Sequence, residues 1–121
     1  MGLDMYAQTM TDKPDSPVDF EVERYGDLHY WRKHPNLHGW MERLYCEKGG
    51  ADSSFNCVPV VLTPDDLDRL EADIRAGRLP HTEGFFFGES CGSEIDDDLA
   101  FIAKARAAIA ADLTVYYTSW W

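Results

Sequence analysis

Apolar side chains recur at two different spacings along this chain, and the spacings mark out its elements. After Pro35, which suits a first helical turn, Leu37, Trp40, Met41, Leu44 and Tyr45 return every three or four positions, predicting a helix over about 35–46. Thr63-Pro64-Asp65-Asp66 supplies an N-cap, a first-turn proline and first-turn acids, and Leu67, Leu70 and Ile74 follow as a buried stripe. A second helix is therefore expected over about 64–76, stopped at Gly77. Ser93 is placed to cap a third, in which Ile95, Leu99, Ile102 and Ile109 keep helical spacing to about Ala111.

Between these stretches the pattern shortens. Leu3, Met5 and Tyr6 suggest a strand at about 2–7, and Phe20, Val22, Tyr25, Leu28 and Tyr30 suggest extended chain within 19–30. Val58-Pro59-Val60-Val61-Leu62 is β-branched, and Pro59 moves it towards a sheet edge. Phe85-Phe86-Phe87 between two glycines reads as a short buried strand, and residues 113–120, dense in Thr, Val, Tyr and Trp, carry the strongest strand signal. Thr11 to Pro17 holds turn residues, so residues 8–19 read as a flexible polar loop. Short strands with three amphipathic helices are most economically arranged as one α+β domain over 1–121, a mostly antiparallel sheet with the helices on one face. Within it the strands at 2–7 and 113–120 are expected to be neighbours.

With 121 residues, 45% of them hydrophobic, one core can close without disulfide or metal staples, alone or as a homodimer. The chain opens without a basic leader and contains no run long enough to span a membrane, and Cys46, Cys57 and Cys91 lack paired spacing. A reducing, cytoplasmic setting is expected. Twenty-two acids against eleven Lys and Arg give a net charge of −11, which repels phosphate backbones and anionic membranes, so direct nucleic-acid and membrane binding are disfavoured.

Four features bear on chemistry. Gly88-Glu89-Ser90-Cys91-Gly92 matches the G-x-S-x-G nucleophile elbow, but no histidine follows Ser90, and Asp96 to Asp98 would oppose a nearby oxyanion. Cys91 faces the same acids, which raise a thiol pKa. His29, His34 and His38 with Cys46 and Cys57 are types that bind zinc, but their spacing supplies no paired ligands, so neither metal nor cofactor is expected. Tyr30 to Trp40 is more distinctive: Arg32 and Lys33 stand beside Trp31, His34, His38 and Trp40 in an otherwise acidic chain. Such a cluster suits an anion pocket with Arg32, Lys33 and His38 around it, and equally suits a core with its cations answering nearby acids.

Gly2-Leu3-Asp4-Met5-Tyr6, Tyr30-Trp31-Arg32-Lys33 followed by Asn36, His38 and Trp40, Gly84-Phe85-Phe86-Phe87-Gly88, and Tyr116-Tyr117-Thr118-Ser119-Trp120 together resemble a family of small phage and prophage proteins. Residues 8–20 and the G-x-S-x-G match depart from that pattern. Members sometimes carry a phosphoglycerate kinase label, which a chain without a glycine-rich phosphate loop does not support. The resemblance implies an accessory protein in a bacterial host's cytoplasm and a ligand site drawn from Asp4, Arg32, Lys33, Asn36, His38, Tyr117 and Ser119, to which the aromatic cluster adds Trp31.

Two function classes follow. One is a non-enzymatic protein that binds a host protein or a small anionic, nucleotide-like ligand and blunts a bacterial defence system. It would act either through acidic faces at Asp65–Asp73 and Glu94–Asp98 that imitate nucleic acid, or through the Trp31–Trp40 segment. The other is a small enzyme acting on an anionic substrate, with His38 as general acid or base oriented by Asp4.

Overall fold

The computed structural model describes residues 3–80, 82 and 94–121. In chain order its elements are β1 (Asp4–Met10), β2 (Gly26–Arg32), α1 (Pro35–Glu47), β3 (Val60–Leu62), α2 (Pro64–Arg75), α3 (Ile95–Ala110) and β4 (Thr114–Trp120). The strands form an antiparallel sheet in the order β2-β1-β4-β3, so the α+β reading holds, and β1 and β4 are neighbours as expected.

Period-two alternation decides what each sheet face carries. Leu3, Met5 and Ala7 are fully buried, as are Val115 and Tyr117, and Trp31 and Val60 lie with them beneath the helices. Leu37, Met41, Leu44 and Tyr45 of α1, Leu67 and Leu70 of α2, and Phe101, Ile102 and Ala105 of α3 close this core. Asp4, Tyr6 and Gln8, the alternate residues of β1, point to the opposite face.

The helix ends follow from their local chemistry. Thr63 Oγ1 accepts the Asp66 amide and the Asp66 carboxylate accepts the Thr63 amide, a reciprocal capping box that starts α2. His34 makes no side-chain cap to α1, whose start is set by Pro35 and by Lys33 in the left-handed region (φ 56°). Gly39 lets the chain at Thr82 cross α1 closely, since a Cβ there would lie 1.9 Å from Thr82 Oγ1.

Several boundaries differ from expectation. β1 runs to Met10 instead of ending near residue 7, because pairing with β2 on one side and β4 on the other satisfies the backbone of polar Gln8 and Thr9. The polar loop therefore starts after Met10, and its far end is fastened by the Val18–Val60 bridge and by Val61 N donating to Pro17 O at 2.9 Å. Extended pairing in the 19–30 region begins only at Gly26 and continues through Arg32. The expected strand at 85–87 and the Ser93 cap lie outside the described residues.

Candidate functional site

Two separate clusters emerge from the residues singled out in the sequence, one on each face of the sheet. The inner cluster begins with His38, whose place on α1 turns its ring onto β4, where Nδ1 lies 2.7 Å from the Tyr117 hydroxyl. Tyr117 is fully buried, and burial pushes its phenol well above the ordinary range against a smaller opposing effect of the Ser119 hydroxyl. A phenol held neutral in this way shares one proton with Nδ1, as donor or acceptor according to the His38 tautomer. Burial also lowers His38 to about 4, so its ring is neutral at physiological pH. Phe55 stacks against Tyr117 at 5.9 Å between ring centres and packs on His38 at 4.9 Å, and its carbonyl lies 3.5 Å from Ser119 Oγ.

Trp31 belongs to the same interior. Its indole Nε1 donates to Asp98 Oδ1 at 3.0 Å, while Asp98 Oδ2 lies 2.9 Å from His34 Nε2. Asp98 and His34 are almost completely buried, so this carboxylate ties β2 and the chain entering α1 to the first turn of α3. Asn36 also acts as a fastener, its Oδ1 accepting the Thr82 amide at 3.0 Å. Trp40 Nε1 donates to Asp73 on α2 at 2.8 Å. Sequence reasoning reads Asp98 as part of an acidic face and misses this role, which the β2–α3 packing makes visible.

The outer cluster is a row across the sheet. The register sets Asp4 opposite Arg32 on one side and Trp120 on the other, followed by Tyr6 opposite Tyr30 and Thr118. Tyr30 donates its hydroxyl to Asp4 Oδ1 at 2.6 Å, and Arg32 Nε lies 3.7 Å from the same oxygen. The bond to Asp4 raises the Tyr30 phenol, and desolvation, with Asp4 behind it, raises that of Tyr6. The two rings lie 5.4 Å apart. Trp120 is 66% exposed, Tyr30 52% and Tyr25 58%. Lys33 is exposed at the turn just beyond Arg32.

Asp4, Arg32 and Lys33 therefore share the open side, whereas Trp31, His38, Tyr117 and Ser119 lie in the core and Asn36 serves the start of α1. Among the described residues Arg32 and Lys33 are exposed whereas His38 is buried, and the carboxylate of Asp4 is engaged by Tyr30 and Arg32 on the face away from His38. Sequence reasoning misses Tyr30 and Trp120 as site residues, though both stand in the motifs; strand alternation, which separates Trp120 from Ser119, is the signal that identifies them. Among the described residues no group of three or more His, Cys, Asp or Glu side chains is arranged to hold a metal, and no helix is long and apolar enough to cross a membrane. No family model, curated protein or solved structure matches this chain.

Proposed function

We propose that this chain is a non-catalytic, phage-type accessory protein that captures a host protein on the open face of its sheet, and that this capture blunts a bacterial defence system. The observation that carries the reading is the exposed row of Trp120, Tyr30 and Arg32 on a rigid strand ladder. Trp, Tyr and Arg are the side chains that most often dominate protein interfaces, and two large aromatic rings left in water on a sheet are costly unless something covers them.

The enzymatic alternative receives less support. A general acid or base works best with a pKa near the operating pH, whereas His38 is 2% exposed, titrates near 4 and is engaged by Tyr117. Imitation of nucleic acid needs an array of uncompensated carboxylates. Here Asp66 meets Lys48, Asp68 and Glu71 meet Arg106, Asp73 meets Arg78, and Asp98 is buried. A small anionic ligand is the second reading, favoured by the adjacency of Arg32 and Lys33 and by the length, 3.7 Å, of the Arg32 contact to Asp4.

The test compares immobilised wild-type protein with Trp120→Ala in bacterial lysate, with bound proteins and small molecules identified by mass spectrometry. A host protein retained by the wild type should be lost from the variant, with melting temperatures alike. Retention unchanged by Trp120→Ala would refute this face as the binding surface. For the second reading, Arg32→Ala should weaken anion binding roughly tenfold while the fold persists.

A further inference from the structure

The two edges of the sheet are treated differently. Along β3 the chain at 17–19 covers the edge: Val18 bridges Val60, Asp19 N donates to Pro59 O at 3.3 Å, and Val61 N donates to Pro17 O. Among the described residues β2, at the other edge, has β1 on one side only. Its free side opens on a groove of about 550 Å³ lined by Asp27, Leu28, His29 and Tyr30, with Tyr6 and Lys104 as walls. Four consecutive residues of this edge strand line that groove. A seven-residue edge with no proline and no lysine is also a ready template for another strand.

We propose that the occupant is β2 of a second copy, paired antiparallel about a twofold axis through Tyr30, so that two four-stranded sheets become one. The order of charges on β2 selects this occupant. The strand runs from Asp27 to Arg32, acid to base, so an antiparallel copy sets base against acid at both ends. A twofold perpendicular to the sheet keeps the helices of both copies on one side, which requires residues of equal parity to face each other. Centring on Tyr30 places Arg32 opposite Leu28 of the second copy.

The bulge beside Leu28 then matters. The β1–β2 register shifts between Ala7 and Gln8, and Asp27 comes onto the open face, where its Oδ1 lies 3.5 Å from Gln8 Nε2. Its carboxylate thereby shares a face with Arg32 of the second copy, and the twofold makes that contact twice. Among the described residues no Lys or Arg forms an ion pair with Asp27. A foreign strand of one charge sign fits less well, because the groove presents Asp27 and Lys104 together. The pairing shares Tyr30 and Arg32 with the face proposed for host-protein capture, but its readout is self-association through Asp27 and Arg32, whereas capture is read out at Trp120, two strands away from β2.

Sedimentation velocity on the full chain, from dilute to concentrated solution, tests the pairing. The wild type should dimerise. Asp27→Lys and Arg32→Glu should each weaken dimerisation at least about tenfold by setting like charges face to face. An equimolar mixture of the two variants should recover wild-type association, because each then meets its opposite at both contacts. A wild type that stays monomeric, variants that dimerise like the wild type, or a mixture that stays monomeric would each overturn the proposal. Amide exchange on the wild type gives a decision that does not depend on the variants folding: exchange along β2 should slow as concentration rises, and exchange independent of concentration counts against the pairing.

Discussion

His38 illustrates how a side chain suited to catalysis becomes a structural one. Its ring is neutral in the folded protein because burial lowers its pKa to about 4, whereas in an unfolded chain it would titrate near the ordinary value of 6.5. Between those values the unfolded state binds more protons, so stability is fully present above about pH 6.5 and is lost as pH falls towards 4. The loss should reach about 3 kcal/mol, read from urea midpoints across that window, and His38→Gln should flatten its upper part before carboxylates begin to titrate. Removing the partner tests the same bond from the other side. Tyr117→Phe leaves Nδ1 without its partner at 2.7 Å and should cost about 1–3 kcal/mol in the same assay. This pair also shows what sequence could convey about the site. Asp4 and Arg32 belong to the expected site, and the structure puts them 3.7 Å apart. The resemblance groups Tyr117 and Ser119 with them, yet β4 alternation sends both to the core and Trp120 to solvent.

Elements were legible where their ends carry chemistry of their own. Thr63-Pro64 started α2 at the expected residue and Pro35 started α1, since caps and first-turn prolines act within a few residues of chain. Thr63→Ala should remove one half of the capping box and cost about 1 kcal/mol, seen as a lower denaturation midpoint with an unchanged slope. Strand limits were less legible because pairing across the chain sets them. Polar Gln8 and Thr9 belong to β1 only because β2 and β4 flank them, and residues 19–25, as apolar as a strand, fold over the open face where Phe20 meets Tyr116 edge-on at 5.6 Å. The linkage of elements through Asp98 was equally hidden: nothing near residue 98 in sequence announces Trp31 or His34.

At the scale of the whole molecule, a net charge of −11 coexists with ion pairs that answer Asp66, Asp68, Glu71 and Asp73 in place on α2, so the excess there acts at long range more than through a bare acidic helix face. A basic host partner would be drawn in by that field and then held by the aromatic row, and these two contributions separate kinetically. Long-range attraction raises the association rate and is screened within about 10 Å at 0.1 M salt, whereas a packed tryptophan mainly slows dissociation. Raising salt about tenfold should therefore lower the association rate for the captured protein roughly tenfold and leave dissociation nearly constant. Trp120→Ala should do the reverse, speeding dissociation about thirtyfold, the equivalent of roughly 2 kcal/mol, with association little changed. Surface plasmon resonance on both proteins at two salt concentrations measures all four rates. If salt and Trp120→Ala alter the same rate constant, steering and anchoring do not reside in different parts of the molecule, and the open face loses its distinct role in holding the partner.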